Sequence, residues 1–200
     1  YTLRGLLEES QRTGRRPSKL QKVRTLGEAL EPRIRDLARR LWDLPVIDLY
    51  GAMEVGFIAL QCPESDGLHV MSEGVLLEIL DDAGEPCAPG AVGRVVVTAL
   101  HNYASPLIRY ALGDYARVGE PCGCGRGLPV IDSILGRQRN LMVLPSGGRR
   151  FVSEHLAGFA AAPYRQFRIT QTALAEIEVT LVVPRSWSGD DEAALAAHLD

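Results

Sequence analysis

Two short stretches of the sequence place a carboxylate beside glycine after an apolar run. The first is Tyr50–Gly56, which contains Glu54, and the second is Ile108–Asp114, which ends in Gly113 and Asp114. A loop at a strand end exposes backbone groups and can present such a carboxylate to a ligand. Together the two stretches predict a nucleotide pocket, with one acid for a metal ion on phosphate and the other for a ribose diol.

Composition restricts the class of protein. The chain has 200 residues, a hydrophobic fraction of 46% and a formal net charge of −3. These values predict one or two globular domains with a core, and they argue against a general nucleic-acid binder. No apolar run approaches the ~20 residues that span a bilayer, so no membrane association is expected. Four cysteines do not make a disulfide scaffold, and a reducing, cytoplasmic location is the default expectation.

The first half of the sequence predicts a parallel crossover. Residues 1–24 are polar and basic, as expected for either a solvated helix face with a loop or an anion-binding patch. Lys22–Leu26 and Val46–Tyr50 have strand character, and Pro32–Trp42 has helical spacing of its apolar residues. Strand, helix and strand in this order form a parallel unit, whose ligands gather at the carboxyl ends of the strands.

The rest of the sequence predicts two further regions. Val75–Leu80 and Arg94–Leu100 read as strands, and Pro106–Tyr110 is a short apolar run that leads to Gly113 and Asp114. After the boundary at Arg137–Asn140 the predicted elements follow a βαββα pattern, with the helices capped by Ser153 and Asp190. The predicted elements of this second region are strands at Leu141–Leu144 and Arg149–Val152, a helix from Ser153 to about Ala161, strands at Arg165–Thr172 and Glu176–Val183, and a last helix through Leu199.

Three cysteines and a histidine form a separate hypothesis. Cys122 and Cys124 flank one glycine, and Cys62 and His69 lie seven residues apart. Structural zinc favours closed tetrahedra of nitrogen and sulfur ligands, so these four residues predict a zinc site that would brace the loops after Gly56 and Asp114. The alternative, free or buried thiols with His69 as a surface histidine, stays open from sequence.

Four motifs occur in the order and spacing seen in the adenylate-forming ligases, which the sequence resembles. They are Gly27–Leu30, Tyr50–Glu54, Tyr110–Asp114 and Gly136–Arg137. Three further stretches make the sequence similar to the phenylacetate–CoA ligase branch of that superfamily: Gly67–Val70, Pro106–Tyr110 and Pro121–Arg126. The resemblance covers about residues 20–183.

The resemblance implies a fold and a domain plan. Residues 1–136 would be the last part of an AMP-binding large domain, an α/β crossover followed by a small β-rich subdomain. Residues 137–140 would be a hinge, and residues 141–200 an incomplete α+β carboxyl-terminal domain.

The resemblance also implies a two-step reaction. An aromatic carboxylic acid such as phenylacetate would attack the α-phosphate of ATP and give an acyl adenylate and pyrophosphate. The thiol of CoA would then displace AMP from the acyl adenylate. ATP, CoA and the acid would be the partners, and a homo-oligomer stays open.

Site roles follow from the same resemblance. Glu54 would be the catalytic residue that ligates Mg²⁺, and Asp114 would accept hydrogen bonds from both ribose hydroxyls. Tyr50 would offer an aromatic face to the base or the acyl group, and Arg137 would reach the ribose or phosphate edge. The nucleotide-binding set implied in this way is Gly27, Glu28, Ala29, Asp48, Tyr50, Gly51, Met53, Asp114 and Arg137.

Several features depart from the family pattern. Met53 stands where a phosphate-binding Thr or Ser is usual, and Gln138–Asn140 lacks the usual hinge Asp. No lysine follows Lys22, and no phosphate loop with a lysine is present. We therefore expect a carboxyl-terminal fragment that cannot catalyse adenylation alone. Two alternatives are an adenylating synthetase with another acceptor, such as a deazaflavin coenzyme, and a nucleotide-binding homologue without catalysis.

Overall fold

The chain folds into two compact units, Tyr1–Ile134 and Leu135–Asp200. The structure is a computed structural model, and it describes residues 2–28, 30, 32–151, 166–184 and 186–197. No helix in these ranges is both long and apolar enough to cross a membrane. The predicted hinge at residues 137–140 lies in the second unit and stays a prediction.

Two helices cover one end of the first unit. Helix α1 (Thr2–Thr13) buries Leu7, and α2 (Pro32–Trp42) contributes Trp42 to the same apolar cluster. The indole Nε1 of Trp42 donates a hydrogen bond of 2.8 Å to Ser10 Oγ, which satisfies the polar atom of a buried ring. The amino-terminal stretch therefore begins as a packed amphipathic helix, and its basic residues lie largely in the solvent-exposed face and in the loop that follows.

The predicted parallel crossover is confirmed. Strand β1 (Val23–Leu26) pairs in parallel with β2 (Val46–Ala52), with Val23 opposite Val46, and α2 connects them. The apolar residues of α2 recur at helical spacing, so one face packs on the cluster that includes Val46.

One mixed sheet contains both the crossover and the β-rich region. Its eight strands follow the order β1-β2-β3-β4-β8-β7-β6-β5. The pairings β2/β3, β3/β4, β4/β8, β5/β6 and β6/β7 are antiparallel. The remaining six strands are β3 (Gly56–Gln61), β4 (Leu68–Val70), β5 (Val75–Leu80), β6 (Val92–Ala99), β7 (Tyr110–Val118) and β8 (Val130–Arg137).

The structure corrects part of the predicted strand plan. The strand after Pro106 begins only at Tyr110, so Gly113 and Asp114 lie inside β7 rather than beyond a strand end. Strands β3, β4 and β8 were not predicted. In β3 and β4, polar and apolar residues alternate only weakly, because both strands bury adjacent residues, which lie on opposite faces of the sheet.

The second unit contains two hairpins and a helix among its described residues. Strands β9 (Leu141–Val143) and β10 (Arg149–Phe151) pair antiparallel, as do β11 (Gln166–Ala173) and β12 (Glu176–Val182). A 3-10 turn at Gln138–Asn140 precedes β9. The predicted helix from Ser153 to Ala161 lies outside the described residues, as does Leu199.

The last helix begins two residues earlier than the predicted cap implies. Helix α3 spans Gly189–Ala196, and its cap is Ser188 rather than Asp190. Ser188 Oγ accepts a hydrogen bond from the backbone N–H of Asp191, and the Asp191 carboxylate accepts one from the backbone N–H of Ser188. This reciprocal capping box satisfies two backbone donors at once, which Asp190 cannot do from inside the first turn.

Candidate functional site

The two acidic motifs meet through one buried hydrogen bond. The phenol of Tyr50, on β2, donates to Asp114 Oδ2 on β7 at 2.8 Å. Both side chains are almost fully buried, with 8% of Tyr50 and 6% of Asp114 exposed. Residues that are 64 positions apart in sequence are thus brought into direct contact.

Asp114 lies on the face of β7 that packs into the apolar core. Leu112 and Ala116, two residues to either side, belong to the main core cluster. The pairing of β6 with β7 is interrupted between Arg94 and Val96 of β6, next to Gly113 of β7. Gly113 has a φ of +75°, which glycine adopts readily and which strains other residues. This irregularity places a carboxylate among apolar side chains, where burial costs free energy unless the group has partners.

The tip of the β2–β3 hairpin carries the other acid. Met53 and Glu54 lie in the turn and are exposed, with Met53 fully so. A Cβ added at Gly51 would lie 2.6 Å from the carbonyl oxygen of Gly56, so the close approach of the two strands requires glycine there. The hairpin therefore holds Glu54 just beyond the strand that carries Tyr50.

Other predicted nucleotide residues lie at the β1–β2 edge of the sheet. Gly27 has a φ of +91° in an exposed bend, and Glu28 follows it. Asp48, on β2, accepts hydrogen bonds from Thr25 Oγ1 at 2.7 Å and from the backbone N–H of Leu49 at 3.2 Å. Burial raises the pKa of Asp48, and the hydrogen bond from Thr25 opposes that rise. Ala29 lies outside the described residues.

Arg137 belongs to the second unit. It is exposed at the last position of β8, directly after Gly136, whose φ is +134°. Its predicted contact with the nucleotide stays a prediction.

The predicted Cys/His residues come together. The Sγ atoms of Cys62, Cys122 and Cys124 and a ring nitrogen of His69 all lie within 4.8 Å of one another. Cys62 follows β3, His69 lies on β4, and the other two lie in the loop between β7 and β8. Cys62 and His69 are each 4% exposed, which corrects the alternative of a surface histidine.

Backbone donors surround the sulfur atoms of this cluster. The N–H of Glu64 donates to Cys62 Sγ at 3.4 Å. That hydrogen bond is the main reason why the pKa of Cys62 falls to about 6, with Ser65 and His69 adding to the effect and burial opposing it. The pKa of Cys124 is also lowered, first by the backbone N–H and then by the side chain of Arg126. Glu64, Ser65 and Arg126 were not identified from sequence. The signal that could have indicated them is that they lie close to Cys62 and Cys124 along the chain.

A shallow depression lies elsewhere on the first unit. It has a volume of about 360 Å³ and none of the predicted site residues lines it. Its lining residues are Leu80, Gly84, Arg94, Val96, Arg109 and Ala111.

Comparison with known sequences finds relatives in the same family that the motifs indicate. The chain is 35% identical over 102 residues to phenylacetate–coenzyme A ligase from Thermus thermophilus. The aligned region covers 48% of this chain and 23% of that protein. It is 30% identical over 146 residues to phenylacetate–coenzyme A ligase from Pseudomonas putida, which covers 70% of this chain and 33% of that one. The chain thus spans a third or less of these relatives. A search against models of protein families finds no match.

Comparison with solved structures shows the fold. The anthranilate CoA ligase AuaEII in complex with anthranoyl-AMP superposes with a TM-score of 0.73 and 15% sequence identity, over 98% of this chain and 41% of that one. At this identity the match carries an argument for the fold alone. It confirms the expected architecture, a mixed α/β arrangement dominated by a large sheet.

Proposed function

We propose that this chain, which is related in sequence to part of the phenylacetate–CoA ligases and has the adenylate-forming CoA ligase fold, forms part of the nucleotide site of an AMP-forming acid–CoA ligase. The relatives named above are CoA ligases, and the solved neighbour holds an acyl adenylate. In the whole protein, ATP and a carboxylic acid would give an acyl adenylate and pyrophosphate, and the thiol of CoA would then accept the acyl group with release of AMP.

The hydrogen bond between Tyr50 and Asp114 carries this proposal. A carboxylate buried among apolar side chains is costly, and such groups concentrate at functional sites. Asp114 belongs to one motif and Tyr50 to the other, and their contact at 2.8 Å supports a single site formed by both motifs. A carboxylate has about four acceptor positions, so Asp114 can accept from Tyr50 and still receive ribose hydroxyls.

The hairpin tip suits the metal-binding role. Mg²⁺ is commonly held by one or two carboxylates together with substrate phosphates and water. Glu54 is an exposed carboxylate at a turn that glycine packing at Gly51 holds in place. Glu54 would therefore bind the metal from the protein side, and the metal would neutralise charge on the phosphates.

The remaining candidates would complete the nucleotide site. Gly27 and Glu28 lie in an exposed bend after β1, where backbone can approach the base closely. Asp48, on β2, would belong to the nucleotide-binding set. Arg137 would supply a cation to the ribose or phosphate edge. The Cys/His cluster and any zinc on it take no part in these steps.

An aromatic acid is the proposed substrate. Apolar side chains cluster at the β2–β3 hairpin, where Ala52 and Val55 pack against the core and Phe57 is 57% exposed. An apolar wall favours an aromatic or otherwise hydrophobic acyl group through burial of its surface. Phenylacetate is therefore the first acid to test.

The test is formation of phenylacetyl-CoA by the whole protein with ATP, Mg²⁺, phenylacetate and CoA. Asp114→Asn should lower kcat/KM by about 10- to 100-fold, which corresponds to the loss of a charged hydrogen bond. Asp132→Asn removes an exposed acid of β8 and should leave the rate unchanged. The 200-residue chain alone should release no pyrophosphate, because it has no lysine after Lys22 to polarise the attacked carboxylate.

Two outcomes would replace this proposal. Acyl adenylate without acyl-CoA would favour an adenylating synthetase with another acceptor, such as a deazaflavin coenzyme. Nucleotide binding without either product would favour a non-catalytic homologue, for which Met53 is the specific observation. Its fully exposed side chain cannot donate a hydrogen bond to phosphate.

A further inference from the structure

The Cys62, His69, Cys122 and Cys124 side chains have the spacing of a metal-binding tetrahedron. With Zn–S bonds of about 2.3 Å, the edge between two sulfur ligands of a regular tetrahedron is about 3.8 Å, and an edge to nitrogen is slightly shorter. The Cys62 and Cys122 sulfurs are 3.8 Å apart, and Cys124 Sγ is 3.3 Å from His69 Nε2. A disulfide would need sulfurs about 2.05 Å apart, so this spacing is that of co-ligands.

A backbone donor lies next to one of the three sulfurs. The N–H of Glu64 donates a hydrogen bond of 3.4 Å to Cys62 Sγ. Positive φ angles at Gly125 and Gly127 allow the loop to bend around the cluster. The donor at Cys62 stabilises its thiolate, the form in which cysteine binds metal.

Charge is also close to balanced. Three thiolates and a neutral imidazole around a divalent cation leave a net charge of −1. The guanidinium of Arg126 interacts electrostatically with Cys124 and supplies one positive charge next to the cluster. A buried site therefore has no large uncompensated charge once a divalent cation is bound.

The same residues connect parts of the chain that otherwise have few shared hydrogen bonds. Strand β4 pairs with β8 at only two positions, Leu68 with Ile131 and His69 with Val130. The loop between β7 and β8 contains no strand of its own. A metal bound at the cluster would tie this loop to β4 and to the chain after β3.

We propose that Cys62, His69, Cys122 and Cys124 form a structural zinc site of the Cys₃His type. Tetrahedral sulfur and nitrogen ligands select zinc over magnesium or calcium, which prefer oxygen. Four protein ligands close the coordination sphere, so the metal has no position for a substrate. The site fixes the loop that follows the strand of Asp114, independently of whether the protein is a ligase.

The first measurement is the zinc content of the 200-residue chain purified without chelator or affinity metal. We expect one zinc per chain by elemental mass spectrometry. Cys124→Ser should reduce bound zinc by at least tenfold, whereas Cys87→Ser should keep one zinc per chain. Cys87 is the matched control because it is the one cysteine outside the cluster among the four in the sequence.

A second measurement does not depend on a variant that folds. In the wild-type chain, a thiol reagent should modify at most Cys87, and the cluster cysteines should react only after the metal is removed with a chelator. Removal should also lower the unfolding midpoint by roughly 10 °C, and added zinc should restore it. Cobalt in place of zinc should give the strong ultraviolet absorption of cobalt–thiolate bonds.

Three results would overturn the proposal. The first is less than about a tenth of a zinc per chain together with no cobalt–thiolate absorption. The second is rapid reaction of all four thiols before chelation. The third is a metal-free chain whose mass is two hydrogens below that calculated, because this identifies a disulfide between two of the cysteines.

Discussion

Asp114 is the residue at which the local rules of folding are broken most clearly. It occupies a core-facing position of β7 between Leu112 and Ala116, where the alternation of the strand calls for an apolar side chain. Such departures concentrate at functional sites because the free-energy cost is retained only when the group has a use. Tyr50 provides the described hydrogen bond that holds the carboxylate in this setting.

Replacing Tyr50 with phenylalanine isolates the role of its hydroxyl group. The ring and its packing remain, but Asp114 loses a donor, so we expect the free energy of unfolding to fall by about 1 kcal/mol. The affinity for AMP should fall about three- to tenfold because the carboxylate is less well positioned. Denaturant unfolding and calorimetric titration measure the two effects.

Tyr103→Phe is the control for this change, because Tyr103 is 83% exposed. It should alter neither quantity. A Tyr50→Phe chain with unchanged stability and unchanged affinity would show that the hydrogen bond does not position Asp114.

The sequence indicates that the two acidic motifs belong together better than it indicates where each residue lies in its strand. The types and order of the two acidic motifs predict a shared site, and the contact between Tyr50 and Asp114 agrees with that prediction. The location of Asp114 inside β7 was not predictable, because it depends on the irregular pairing of β6 and β7 around Gly113. The prediction for Tyr50 concerned its aromatic ring and gave no role to its hydroxyl.

The secondary-structure elements divide into those with strong periodicity and those without it. The α2 helix and the β1–β2 pair were predictable because their apolar residues recur at helical or strand spacing. Strand β4 has only three residues, which is too short for a period to be recognised. Strand β8 was missed because its polar residues, such as Asp132 and Ser133, interrupt the apolar run.

The β1–β2 pair makes a testable prediction about pH. Burial raises the pKa of Asp48 above its ordinary value of 3.8, so the folded chain holds this proton more tightly than the unfolded chain. The resulting stabilisation is present below pH 3.8 and is lost as the pH rises through the folded-state pKa. Asp48→Asn removes this dependence and can keep the hydrogen bond from Thr25.

We therefore expect Asp48→Asn to gain stability relative to the wild-type chain as the pH rises from about 3.5 to 7. The gain should reach about 0.5 kcal/mol, because solvent partly screens a half-buried carboxylate. Urea unfolding at both pH values measures it, with Asp132→Asn as the control for an exposed acid. A stability difference that does not change with pH would contradict the assigned role of burial.

At the scale of the whole molecule, the chain has two compact units and the architecture of an adenylate-forming ligase. The resemblance in sequence was sufficient to predict that architecture. It was not sufficient to predict that the crossover and the β-rich region share one eight-stranded sheet, because strand pairing across many residues depends on the whole fold. The chain spans a third or less of its sequence relatives, so nucleotide binding is the property that this chain can test directly.

Calorimetric titration of AMP and of 2′,3′-dideoxyadenosine monophosphate into the 200-residue chain tests the proposed nucleotide site. We predict that the wild-type chain binds AMP at least tenfold more tightly, because Asp114 accepts hydrogen bonds from the ribose hydroxyls. Asp114→Asn should reduce that preference to less than about twofold. No binding of AMP, equal binding of the two nucleotides by the wild-type chain, or an unchanged preference in Asp114→Asn would contradict the assignment of Asp114 to the ribose.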